Sequence, residues 1–156
     1  MRIRRVVTGH SGEGKARVII DEVSTDVVSF RPGATVCNLW STDSLPADNQ
    51  VEGDGAKRIR GTAHPEGSVF RIIEFAPGVA PRNHRTASLD YAVVLSGEID
   101  MELDGEVVRL RAGDALVQRG TIHNWINRGD SPCVIAFVLI GAVPVRIAGT
   151  PLEPKG

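Results

Sequence analysis

His84, Thr86 and Asp90 stand close together in the chain, and His123 ends a second segment of similar make-up. Two neutral imidazoles and one carboxylate are the groups that hold a divalent transition metal while leaving positions open for substrate and dioxygen. Without a metal, the same trio can exchange protons as general acid and base. The plainest alternative is a metal-free pocket in which His84 and Asp90 hydrogen-bond each other. His84 and Thr86 are two apart, so on an extended strand they project to one face. Arg119 directly precedes the His123 turn. A guanidinium there would clamp a carboxylate or phenolate. The competing reading pairs it outward with a surface acid. Trp125 alternates with His123 and is pocket wall or core.

Short strands must position these groups. Residues 2–8 and 16–23 read as strands around a Gly-rich turn, and residues 34–40 as a third. Residues 41–66, rich in Asp, Pro, Gly and Asn, read as a long loop that could cover the pocket, with Trp40 and His64 near its ends. Residues 68–76 alternate, with Val69, Arg71, Ile73 and Phe75 on one face. Residues 91–96 are mostly apolar, as in a strand covered on both sides. Residues 98–103 alternate, with Glu98, Asp100 and Glu102 outward. Asp104–Gly105 is a hairpin signal. Residues 106–111, 115–118 and 133–140 complete the set. No segment keeps a helical period for more than two turns. Such a series of strands predicts an all-β sandwich or barrel.

Composition narrows the function. The 156 residues suit one domain with its own core. Eighteen basic and nineteen acidic residues, net charge −1, argue against nucleic acid or a membrane surface as partner. The charged start lacks the apolar run of a signal peptide, and no stretch has membrane-helix length. Cys37 and Cys133 sit among apolar residues and read as buried free thiols. The expectation is a cytoplasmic protein.

The stretch Gly78 to Gly97 resembles the first motif of the cupins, G-x5-H-x-H-x3,4-E-x6-G. Gly78, His84 and Gly97 match; Thr86 stands at the second histidine and Asp90 at the glutamate. Gly113 to Asn127 resembles the second motif, G-x5-P-x-G-x2-H-x3-N, through Gly113, His123 and Asn127. Arg119 replaces its proline, and the turn is one residue shorter. The resemblance spans roughly residues 65–141. It implies a double-stranded β-helix, the jelly-roll barrel of the cupins, with an extra N-terminal strand arm. Residues 1–64 would pack on a barrel core of residues 65–145, and residues 146–156 would form a tail, one domain overall. It further implies metal ligation by His84, Asp90 and His123, with Fe, Mn, Ni or Zn as the metal and the site partly loaded. Thr86 is a poor ligand and would hydrogen-bond a metal-bound water or the substrate. Asp90, Arg119 and Thr86 are the expected catalytic residues.

The expected function is a metal-dependent enzyme of dioxygenase, decarboxylase, dehydratase or isomerase type. Its substrate would be a small hydrophobic anion. The alternative is a non-catalytic binding or sensing module. A storage role fits the polar pocket poorly, and fold alone chooses none of these. The N-terminal strands have apolar faces beyond the needs of one barrel and point to a homodimer.

Overall fold

The computed structural model describes residues 1–58 and 61–156. Residues 59 and 60 belong to the stretch expected as a long loop and lie outside the described residues. The strands, in chain order, are β1 (Arg4–His10), β2 (Ala16–Val23), β3 (Val27–Arg31), β4 (Ala34–Thr42), β5 (Ser68–Phe75), β6 (Ser88–Ser96), β7 (Glu98–Glu102), β8 (Val107–Arg111), β9 (Ala115–Arg119), β10 (Asn124–Ile126), β11 (Cys133–Gly141), β12 (Arg146–Ile147) and β13 (Thr150–Pro151). One short 3-10 turn, Gly55–Arg58, interrupts the loop after β4. The strands that alternation marks out are present. β3 was not expected, because its five residues end at a Pro-Gly turn that dominates the local pattern.

A six-stranded antiparallel sheet runs β3-β4-β5-β11-β6-β9, and a three-stranded sheet runs β10-β7-β8. Their facing sides enclose the core, including Val69, Phe75, Met101, Trp125, Ile135, Phe137 and Leu139. This is the double-sheet barrel that the two motifs imply. The larger sheet also takes β3 and β4, from the stretch assigned to the N-terminal part. β11 lies between β5 and β6; Cys133, Ile135, Phe137 and Leu139 on one face join the main core, and Val134 and Ala136 on the other pack with Cys37, Leu39 and Ile72, which explains why the strand is apolar on both faces.

The ring of Trp125 stacks near Phe75 at 5.9 Å and meets Phe137 edge-on at 5.7 Å. Trp125 therefore serves as core and as pocket wall at once. Gly97 sits at φ 76° where β6 turns into β7. A Cβ there would lie 2.5 Å from the Pro132 carbonyl oxygen, so no other residue fits without moving β11's approach. Cys37 and Cys133 are buried free thiols. Asp100, expected outward, is buried, because Arg109 and Arg128 fold over it in ion pairs.

β1 and β2 form a separate two-stranded hairpin. Arg5 ties it to the rest, donating to the Leu39 carbonyl at 3.0 Å and to the Asp54 carboxylate, while also holding Glu22. Val6, Val18, Ile19 and Val23 remain exposed on it. A hairpin of this kind has little stability of its own in water.

Candidate functional site

The barrel encloses a cavity of about 360 Å³. Its walls come from alternating inward residues of the large sheet: Arg71, Ile73 and Phe75 on β5, Phe137 and Leu139 on β11, Asp90 on β6 and Gln118 on β9. Trp125 from β10 forms the opposite wall, and Phe30 and Arg31 of β3 reach it from the sheet's edge.

His84 and His123 stand together. Each donates its main-chain N–H to the other's carbonyl at 2.9 Å, a two-residue bridge that joins the two motif segments. Their rings are 4.2 Å apart, inclined at 50°. The Nδ1 of His84 lies 3.0 Å from the Arg82 carbonyl oxygen, and that of His123 lies 3.0 Å from the Thr121 carbonyl oxygen. A carbonyl can only accept, so each Nδ1 carries the proton and donates. Both Nε2 atoms are thereby left as acceptors. Burial lowers the pKa of both rings. His123 falls to about 4, pushed further by His84 and the nearby arginines, and His84 is lowered by burial and by Arg82 and Arg31. Both imidazoles are neutral at pH 7.

Asp90 is 4% exposed and accepts from Ser88 Oγ at 2.6 Å; Ser88 in turn pairs with Thr86 Oγ1 at 2.8 Å. The hydroxyl of Thr86 is therefore engaged by Ser88 while its side chain lines the cavity. Burial raises the Asp90 pKa to about 6, against the pull of Ser88 and Arg71. Such a carboxyl is poised to take and return protons near neutrality. His84 and Asp90 do not satisfy each other, since each binds other groups.

Among the described residues, no three His, Cys, Asp or Glu side chains converge as a metal-holding group. Two imidazoles, each oriented by an Nδ1–H to carbonyl hydrogen bond, do fit a divalent ion as a pair of ligands. Asp90 does not complete a set of three with them.

Arg119 departs from expectation. It is exposed, lies opposite Leu89 in the β6–β9 register, and lines a separate outer hollow with Thr86 and Ser88. Strand alternation is the reason: Gln118, one residue earlier and opposite Asp90, faces the cavity instead. The cationic role falls to three arginines that spacing did not single out, Arg31, Arg71 and Arg82. Arg71 was legible as a charge on the inward face of its strand. Arg31 and Arg82 sit beside turns and gave no pattern.

None of these three pairs with an Asp or Glu side chain among the described residues. Arg31 donates to the Ala80 carbonyl at 2.6 Å and lies 6.0 Å from the Phe75 ring centre. Arg82 donates to Thr62 Oγ1 at 3.2 Å and to a main-chain oxygen of Gly156, the last residue, at 3.0 Å. Arg71, 3% exposed, donates to the Gly61 carbonyl at 2.9 Å. Its pKa drops to about 10 through burial and Arg82, and that of Arg31 is lowered by the same two causes.

Comparison with known proteins agrees with this architecture. Residues 71–140 match the Cupin domain family. The chain is 36% identical, over 97% of its length and 79% of the relative's, to the cupin-domain-containing oxidoreductase fogC of Aspergillus ruber. The chain is a cupin. It is also 49% identical to phomopsin biosynthesis cluster protein D of Diaporthe leptostromiformis, over 93% of this chain and 82% of that one. A double-stranded β-helix protein from Klebsiella pneumoniae has the same fold, with TM-score 0.52 at 19% identity over 75% of this chain and 84% of that one.

The buried carboxyl makes a pH test possible. Asp90 titrates near 3.8 when unperturbed and at about 6 in the fold. Between these values the folded state keeps a proton that the unfolded state has lost, so Asp90 subtracts stability as pH rises from about 4 to 6, and the deficit is complete above that. His123 acts in the opposite sense: its folded value of about 4 lies below the ordinary 6.5, so stability rises with pH across that window. Asp90→Asn removes only the first effect. The variant is expected to be more stable than wild type by about 1–2 kcal/mol at pH 7.5 and equal to it at pH 4, in metal-free protein by chemical denaturation. An unchanged difference across that range contradicts the raised pKa.

Proposed function

We propose that this cupin is an enzyme of the oxidoreductase type named for its relatives, acting on a small, largely apolar anion. The observation that carries the reading is the pair Arg31 and Arg82. Both guanidinium groups line a cavity half of whose other lining residues are Phe, Val, Ile, Leu, Trp or Ala, and neither pairs with an Asp or Glu side chain among the described residues. An uncompensated guanidinium at an apolar site is most favourably met by a ligand carboxylate, which it binds in bidentate fashion. The apolar walls take the ligand's carbon skeleton.

Asp90 is the acid–base group in this reading. Its carboxyl exchanges a proton with the ligand, and Ser88 keeps one of its oxygens in place. His84 and His123 would hold a divalent transition metal, Fe, Mn, Ni or Zn, through their Nε2 atoms. When bound there, the metal supplies Lewis acidity or redox chemistry. Water or the ligand would occupy the remaining positions.

Isothermal titration with benzoate as probe tests the anion reading. Wild-type protein is expected to bind benzoate, and to bind neutral benzamide at least about tenfold more weakly. Arg31→Gln and Arg82→Gln should each weaken benzoate about tenfold and leave benzamide unchanged. Equal binding of the two probes contradicts the reading.

Elemental analysis after metal-supplemented growth addresses the histidines. Metal is expected in wild type, at higher occupancy in Thr86→His, and absent in His123→Ala. Negligible metal in both wild type and Thr86→His removes the metal from the account and leaves Asp90 and the arginines.

The exposed hairpin residues, with Val27, Val28 and Phe30 on the edge strand β3, support a homodimer formed through these strands. Light scattering at micromolar concentration should give twice the chain mass; a monomer mass rules the dimer out.

A further inference from the structure

Strict alternation fails on β3. Phe30 and Arg31 are consecutive, yet both line the cavity. On a regular strand one of them would face away. The register accounts for the exception. Ser29 pairs with Thr35 and Arg31 with Ala34, so two steps along β3 meet one along β4. Phe30 is the extra residue of a β-bulge, a device that re-aims side chains and recurs beside active sites.

The bulge is held from both ends. Ser29 Oγ lies 3.1 Å from the Arg31 carbonyl oxygen and 3.0 Å from that of Ala34, and shares its one O–H between them. Beyond the bulge, the Ala80 N–H donates to the Pro32 carbonyl at 3.1 Å and the Ala76 N–H to the Gly33 carbonyl at 2.8 Å. The tip of the β3–β4 hairpin is thereby fixed to the segment that follows β5.

The two side chains offer different chemistry at one place. Arg31 is half-buried and pairs with no Asp or Glu side chain among the described residues. Phe30 is 64% exposed, whereas Phe75, Phe137 and Trp125 are buried against one another in the core. A single apolar side chain in water is ordinary. This one lines the cavity while open to solvent, so its ring is free to pack against whatever enters.

We infer that the bulge presents Phe30 and Arg31 together as a clamp for an aromatic carboxylic acid: Arg31 takes the carboxylate, and the Phe30 ring packs on the ring that carries it. The inference rests on the proposal that Arg31 and Arg82 receive an anion, and it names the class of that anion. The two side chains leave adjacent Cα atoms, about 3.8 Å apart, so a ring bonded to its carboxylate reaches both. Aromatic pairs gain from their ring quadrupoles beyond the area they bury, and a saturated ring of similar size lacks that gain. Phe30 is then a specificity-determining residue, and Ser29 is the positioning residue that keeps the bulge.

Isothermal titration against the full chain compares benzoate with cyclohexanecarboxylate, and benzamide with cyclohexanecarboxamide. Wild type is expected to bind benzoate about fivefold more tightly than the saturated acid. Phe30→Leu keeps an apolar side chain and should reduce that preference to about twofold or less. Ser29→Ala should reduce it likewise, and Ser29→Thr, which retains the hydroxyl, should preserve it. A merely structural loss in Ser29→Ala would weaken both acids alike. Light scattering of Phe30→Leu in parallel should give the wild-type mass.

If the two acids bind equally, or the preference survives in Phe30→Leu, the clamp is overturned and the arginine pair is not. A changed mass in Phe30→Leu with the preference intact assigns Phe30 to a subunit contact and also overturns the clamp. If neither acid binds while benzamide is preferred over its saturated counterpart in a Phe30-dependent way, the anion reading falls and the aromatic contact stands. If no probe binds, both fall.

Discussion

Two main-chain hydrogen bonds between His84 and His123 hold the site together. They join segments 39 residues apart in the chain and fix both imidazoles at the cavity. Each ring is then oriented by the carbonyl two residues before it, Arg82 for one and Thr121 for the other. The same carbonyl contact places Arg82 beside His84. Cation and imidazole positions are therefore set by one stretch of backbone. Because main chain does the positioning, Thr86 and Asp90 can differ from the family pattern without disturbing the histidines.

Charge then decides what the cavity favours. Three guanidinium groups and one buried carboxyl face a mostly apolar space. Their mutual repulsion and burial lower the pKa values of Arg31, Arg71 and both histidines, while Asp90 is raised. Burial is the largest cause of every one of these shifts; neighbouring arginines add to it at Arg31, Arg71 and the histidines and oppose it at Asp90. Three guanidinium groups against one carboxyl still leave the ligand-free cavity with an excess of positive charge. An anionic ligand removes that imbalance. A metal at the two imidazoles would add to it, unless the ligand's own negative charge arrives with it.

The fold was legible because its determinants are local and periodic. Alternation along 68–76 and 98–103, and the Asp104–Gly105 turn, are read from neighbouring residues. The paired motifs then select the cupin barrel among sandwiches and barrels. β3 escaped this reading because five residues before a Pro-Gly turn carry too few periods to register. The site was half legible. His84, Asp90 and His123 reach the cavity as spacing implies. Arg119 does not, since a shift of one residue on a strand reverses the face, and the shorter turn gave no warning of it. Arg31 and Arg82 are brought in by strand order and turn geometry, which no short-range pattern reports.

The central claim is that guanidinium charge at the barrel cavity, half-buried at Arg31 and Arg82 and matched by no Asp or Glu ion pair among the described residues, receives the ligand. The most direct measurement is NMR of arginine Nε–H groups, assigned by single substitutions, during titration with benzoate. The account predicts that the resonances of Arg31 and Arg82 move with ligand concentration, that Arg71 responds through the shared cavity, and that Arg4 and Arg119 stay fixed. Movement confined to Arg119 and other exposed arginines, with Arg31, Arg71 and Arg82 unchanged, would contradict it.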